Sequence, residues 1–431
     1  MGNHKPLTVL LTLCLMLSML PACSPANSPE GSAQAQTVRS EKSLLPAPDE
    51  SDVPLSELVS GNTAFALALY QQLFQDDSNL FCSPYSISLA LAMTYAGARA
   101  ETAAQMAEAL RLGLPAHELH LALRTLQAAL SSRGLNLDEG QRFQLHVANA
   151  LWGQAGYRFD QAFLDVLAEN YDAGMRLLDF AKQPDDSRKV VNEWVEEQTE
   201  EKIKDLLPKG SIDALTRLVL TNGIYFNASW LYPFNEGFTR DESFFLADGR
   251  QVSVPTMHRQ ARFGYAEGSG YQIVQLLYAG GELSMLVILP AAGTLENLVR
   301  SLDVSRLEAM ADSISNRELA LYMPRFTYEA SFQLKDPLSA LGMGQAFTAQ
   351  ADFSGMTGKK DLFISDVFHK AFVAVDEEGT EAAAATAVVV GQTAMPMEAL
   401  EVRINRPFLY LIRDEVSGTI LFLGQVANPG A

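Results

Sequence analysis

The chain reads as an α+β protein, and three observations lead there. Apolar residues recur at helical spacing through much of the first half. Short apolar or alternating runs bounded by Gly and Pro fill the second half. Strand and helix never settle into the regular alternation that a doubly wound sheet requires.

Taken in order, Leu58, Phe65, Leu69 and Leu73 predict an amphipathic helix over 56–74 that stops in the polar turn Gln75-Asp76-Asp77-Ser78-Asn79. Ser83-Pro84 opens the next helix, a hydroxyl at the cap followed by a proline whose missing N–H costs nothing there, ahead of the apolar run Ile87 to Tyr95. Thr102 and Gln105 read as a capping-box pair for a third helix. Val191, Trp194 and Val195 mark one face of a helix in 187–206. Residues 218–226, 283–290, 319–328 and 370–376 read as strands. Phe408 to Arg413 and Thr419 to Val426, joined through Asp414-Glu415-Val416-Ser417-Gly418, form the clearest hairpin.

With 431 residues, 48% of them hydrophobic, the chain can bury a large core, which excludes a disordered protein or a small disulfide-stapled scaffold. Its 51 Asp and Glu against 32 Lys and Arg argue against nucleic acid as a partner, since affinity for the phosphate backbone rests on basic side chains.

The three cysteines bear on the compartment. Residues 7–20 form an apolar run behind Lys5, with the charge and length of a signal peptide and too short to span a membrane comfortably. The run ends in Leu20-Pro21-Ala22-Cys23, similar to a bacterial lipobox despite Pro21. On that reading 1–22 is removed, Cys23 is lipidated, and the chain is anchored in the cell envelope, at the outer membrane if the source is Gram-negative. Cys82 is then left without an intramolecular disulfide partner; it reads as a small buried hydrophobe. Residues 23–54 have the composition of a flexible tether, so the folded domain is expected over 55–431.

The usual signatures of catalysis are missing: no G-x-S-x-G, no phosphate-binding G-x-x-x-x-G-K-[ST] and no C-x-x-C. His117 and His120 stand three apart, short of the four-residue separation of H-E-x-x-H, and are expected on a solvated helical face rather than on a metal. The chain is therefore expected not to be an enzyme and to need neither metal nor cofactor. A surface hydrolase with an unrecognised site is the rival from another class.

The stretch from Asp376 to Val390 is the least ordinary. Its four alanines, Ala382 to Ala385, taken alone favour helix or an Ala-rich linker. Gly379 allows a bend, however, and Thr386 with three valines favours strand. If extended, one face carries Thr380, Ala382, Ala384, Thr386 and Val388, all small, and Glu381 points the other way. Such a strand could slide into a packed sheet without displacing bulky neighbours.

At this point the sequence resembles the serpins. Asn79 to Ile87 (NLFCSPYSI), Gly97 to Thr102 (GARAET), Thr221 to Phe226 (TNGIYF) with Trp230, Pro324-Arg325-Phe326, Ala351 to Met356 (ADFSGM), His369-Lys370-Ala371, Asn405-Arg406-Pro407-Phe408 and Phe422 to Pro429 (FLGQVANP) occur in the family's order. They cover nearly everything from residue 56 onward. The resemblance implies a monomer with three β-sheets, A to C, eight or nine helices and an exposed reactive-centre loop, here about 377–400. It implies suicide inhibition of a serine, or sometimes cysteine, protease, in which the cut loop inserts into sheet A faster than the acyl-enzyme hydrolyses. Hinge residues Glu377, Glu378, Gly379, Thr380, Glu381, Ala382, Ala383, Ala384 and Ala385 agree with the inhibitory pattern. A non-inhibitory serpin acting as a binding or carrier protein is the alternative.

Counting from Glu377 by the family's spacing gives Thr393-Ala394 as the scissile bond, whereas counting back from Pro407 lands near Pro396; the hinge count is preferred because it sets how much strand must insert. Small uncharged residues around Thr393, with no Lys or Arg between 379 and 402, suit an elastase-like or subtilisin-like pocket. The resemblance also assigns Ser83, Ser86, Asn222 and His369 to a buried hydrogen-bonded shutter under sheet A, and Trp230 to the breach at its top.

Overall fold

The computed structural model describes residues 33–380 and 399–431. The expected leader 1–22, Cys23, the start of the tether, Glu381, Ala382, Ala383, Ala384, Ala385, Thr393 and Ala394 lie outside the described residues.

The helices are α1 (Leu55–Leu73), α2 (Pro84–Tyr95), α3 (Ala100–Ala109), α4 (Ala116–Ser132), α5 (Gln161–Tyr171), α6 (Pro184–Gln198), α7 (Leu295–Ser301), α8 (Val304–Asp312) and the single turns α9 (Lys335–Leu338) and α10 (Ser354–Thr357). The strands are β1 (Gln36–Val38), β2 (Leu80–Cys82), β3 (Phe143–Gln154), β4 (Met175–Leu178), β5 (Leu218–Ser229), β6 (Arg240–Phe245), β7 (Gln251–Gly268), β8 (Tyr271–Leu277), β9 (Leu283–Pro290), β10 (Ser315–Pro324), β11 (Phe326–Gln333), β12 (Ile364–Val375), β13 (Gly379–Thr380), β14 (Leu400–Arg403), β15 (Phe408–Asp414) and β16 (Ile420–Val426).

Seven strands form one sheet in the order β1-β4-β3-β5-β13-β12-β11. The other nine form a second path, β14-β10-β7-β8-β9-β15-β16-β2, with β6 paired to β7. Three sheets were expected, and hydrogen bonding joins two of them among the described residues. The joint is β7, whose first residues pair with β6 and β10 and whose last five pair with β8. β5 is buried on both faces; on one side Trp152, Val219 and Phe368 pack against Val191 and Val195 of α6. α2 is buried on every side and supports the middle of the fold, with Ser83 capping it through a 3.2 Å bond from the Ser86 N–H.

Several expectations shift. The tether expected over 23–54 differs in its described part. β1 adds antiparallel to the edge of β4, Ser40 donates to Asp165 at 2.6 Å, and Lys42 pairs with Asp165 and Glu169 at 3.0 and 2.8 Å. An edge strand offers unpaired backbone to any chain that reaches it, and a three-residue strand needs no hydrophobic pattern. Gly174 makes room, since a Cβ there would lie 2.7 Å from the Val38 carbonyl. The capping box is absent: Thr102 is already inside α3 and instead accepts the Asp352 N–H at 2.9 Å, while Gln105 donates to Glu101. The helix expected over 187–206 starts earlier, at Pro184, and ends at Gln198, because Glu200 and Glu201 take left-handed φ values of 51° and 60°. The run 319–328 is two strands in different sheets, parted at Arg325, whose N–H turns to the Pro255 carbonyl. The expected strand 370–376 begins earlier, at Ile364.

Candidate functional site

β5 and β12 are parallel neighbours from Leu218 and Ile364 up to Ile224 and Ala371. Beyond that point they part, and β13 occupies the space: Gly379 and Thr380 pair with Ser229 and Ala228 on β5, and Thr380 with Val375 on β12. The chain reaches this seat through a tight turn. The Asp376 carboxylate accepts the N–H groups of Glu378 and Gly379 at 2.9 and 3.2 Å, an Asx arrangement, and burial raises its pKa above the ordinary range.

Residues 377–380 are each held separately. The Glu377 carboxylate is buried, accepts a bond from the Thr239 hydroxyl and pairs with Arg325 at 2.5 Å. Its carbonyl accepts the Phe234 N–H at 2.7 Å. Gly379 is required by space: a Cβ would fall 2.1 Å from the Ala228 carbonyl oxygen. Thr380 is 1% exposed, and its hydroxyl meets that of Tyr278 at 2.7 Å. Trp230 ties the turn to the sheet, its indole N–H donating to the Asp376 carbonyl at 2.9 Å and its backbone N–H to the Glu378 carbonyl at 2.7 Å. Its ring stacks on Tyr278 with centroids 4.6 Å apart.

Six residues down β5 from Ala228, about 20 Å at strand rise, lies a second cluster. Ser83, Ser86, Asn222 and His369 are all fully buried, and the structure brings them together. The Ser83 N–H donates to His369 Nε2 at 3.2 Å, which leaves the imidazole proton on Nδ1, where it bonds the Asn222 side-chain oxygen. The Asn222 amide donates to Ser86 Oγ at 2.6 Å and to the Asn149 side-chain oxygen. Ser83 Oγ donates to the Leu421 carbonyl at 2.6 Å. Burial pushes the His369 pKa down to about 3, so the ring is neutral.

Asn149 is the member sequence reasoning missed. On β3, opposite Asn222, it accepts from Ser86 and donates to the Ser86 carbonyl at 3.1 Å, so the network spans β3, β5, β12 and the start of α2. The available signal was a lone amide within the apolar run 147–152.

The paired histidines separate. His117 is exposed, but His120 is buried against the Tyr171 hydroxyl at 2.6 Å and its pKa falls to about 4 through burial, which corrects the expectation of a fully solvated face. No group of three or more metal-ligating side chains occurs among the described residues. Burial pushes the Cys82 thiol up to about 12, leaving it inert.

The comparisons agree with one another. The serpin profile (serine protease inhibitor) matches residues 60–429. Leukocyte elastase inhibitor of Bos taurus is 39% identical over 386 residues, covering 87% of this chain and all of the relative. The crystal structure of a thermophilic serpin, tengpin, in its native state superposes with a TM-score of 0.80 at 27% identity, covering 92% of this chain and all of tengpin. Human thyroxine-binding globulin complexed with thyroxine superposes with a TM-score of 0.78 at 29% identity, covering 87% of this chain and 99% of that one. The chain belongs to the serpin family.

Proposed function

We propose that this serpin is a suicide inhibitor of serine proteases with elastase-like or subtilisin-like pockets, cut at Thr393-Ala394. The observation that supports this reading is the seat of Gly379-Thr380 between β5 and β12, where the first residues after the turn already make sheet hydrogen bonds. In the proposed reaction the protease serine attacks the Thr393 carbonyl, the C–N bond to Ala394 breaks, and the Ala394 amine leaves with a proton. Residues following Thr380 then enter between β5 and β12 before water can hydrolyse the ester. Sheet opening requires β5 and β12 to separate at Asn222 and His369, so the cluster around them is proposed as the shutter and Trp230 as the breach.

Incubation with pancreatic-type elastase and with a subtilisin, followed by denaturing electrophoresis, tests the reading. A band at the summed mass and a cut after Thr393 are expected; cleavage with no covalent band and no gain in thermal stability would support the second reading, a carrier. That second reading draws on the similarity to thyroxine-binding globulin. Lipidation of Cys23 and anchoring in the cell envelope are proposed from the sequence alone; retention of a Cys23→Ser variant in the detergent phase would overturn them.

A further inference from the structure

A cavity of about 280 Å³ opens on the outer face of the nine-stranded sheet beside Trp230. Gly264 of β7 forms part of its floor and lets its neighbours close in, since a Cβ there would lie 2.5 Å from Gln275 Oε1 and 2.7 Å from Ile314 Cγ2. Register places Asn316 of β10 and Gln275 of β8 directly opposite Gly264, and Arg262 precedes it on the same face. Trp230, Tyr232 and Leu277 complete the walls.

The polar lining is unusual in having nothing to do. The side chains of Arg262, Gln275 and Asn316 have no hydrogen-bond or ion-pair partner among the described residues. Neighbouring arginines are all engaged: Arg259 with the Pro233 carbonyl, Arg317 over the Tyr265 ring, and Arg403 with Glu242 and Glu401. Glu318 stands opposite Arg262 in the register, yet the two make no ion pair. In a chain with 51 acidic and 32 basic residues, an unpaired guanidinium on a cavity rim is conspicuous.

We infer that this cavity binds a small monocarboxylate carried on a planar apolar body, of roughly a dozen non-hydrogen atoms for a pocket of this volume. Arg262 takes the carboxylate with its planar fork, the amides of Gln275 and Asn316 complete the polar contacts, and the flat body lies along Trp230 and Tyr232. The site does not depend on the inhibitory reading, because binding is measured on the uncleaved chain with no protease present.

The test is calorimetric titration of the chain with 2-naphthoate, with neutral 2-naphthamide as comparison ligand. Saturable binding at one site is expected, with 2-naphthamide at least about tenfold weaker. Arg262→Ala removes the anchor and Asn316→Asp sets a like charge beside the carboxylate; each weakens binding about tenfold or more. Both positions are exposed, so unchanged thermal midpoints confirm that the variants fold. Absence of saturable binding at millimolar 2-naphthoate, or undiminished affinity in both variants, would overturn the assignment.

Discussion

Replacing Thr380 by Arg tests whether hinge insertion drives the proposed inhibition. Thr380 is 1% exposed, sits between Ala228 and Val375, and shares a hydrogen bond with the buried Tyr278 hydroxyl. The substitution removes that bond, about 1 kcal/mol, strands the Tyr278 hydroxyl, about 1 kcal/mol more, and asks a guanidinium to enter the sheet with no carboxylate partner, which costs several kcal/mol. A penalty of at least about 3 kcal/mol for the seated hinge follows, so in the variant this segment leaves its seat in the uncleaved chain and insertion has to drive the arginine back into the sheet. If half of it is felt at the barrier, insertion slows about tenfold, and if all of it, about 10²-fold. On the proposed mechanism, acyl-enzyme hydrolysis then wins and the chain is turned over as a substrate. The assay is densitometry of the covalent band after incubation with elastase, alongside Thr380→Val, which keeps the volume and loses only the hydroxyl. The Arg variant should be cleaved at the normal rate with the covalent band nearly gone, and the Val variant should keep most of it. An undiminished covalent band in Thr380→Arg would refute the reasoning.

Three further outcomes follow from the structure. His369 and His120 have folded pKa values near 3 and 4, below the unfolded value of about 6.5, so the unfolded chain binds the protons and stability falls as pH drops below 6.5. Between pH 7 and pH 5 each contributes a loss of about 2 kcal/mol; the thermal midpoint should fall over that range and fall less in His120→Gln, and a midpoint that holds or rises contradicts this. Asn149→Ala leaves Ser86 and Asn222 short of partners, a cost of about 2–4 kcal/mol, which should lower the thermal midpoint by about 2–5 °C in scanning calorimetry. A chain starting at residue 55 exposes the edge of β4 and should melt lower and self-associate relative to one starting at residue 33; identical midpoints and masses in solution would show β1 to be dispensable.

What the sequence made legible was whatever is local. Leu58, Phe65 and Leu69 all face the core of α1 as their spacing requires, Ser83-Pro84 caps α2, and the hairpin of β15 and β16 lies where its turn residues put it. What stayed hidden depends on partners distant in the chain. Nothing near Thr102 announces that it will take the Asp352 N–H instead of capping its own helix. The continuous pattern through Arg325 conceals a change of sheet, because both strands alternate in the same way. The site divides on the same line: the resemblance brought Ser83, Ser86, Asn222 and His369 to notice, while Asn149 acquires its role only because β3 lies beside β5.

The position of the last hairpin has a consequence for how the chain is made. β15 and β16 lie between β9 and β2, in the interior of the nine-stranded sheet, and Asn79 accepts the N–H groups of Ala427 and Asn428 at 2.8 and 2.9 Å. Leu80 to Cys82, among the first residues of the domain to be synthesised, therefore wait for Leu423 to Gln425, among the last, before they have a neighbour. A growing chain holds this sheet open until residues 408–426 have been made. A premature stop before Phe408 would not shorten the protein at its margin; it would remove two interior strands, leaving β9 with an open edge and β2 with no strand to pair with.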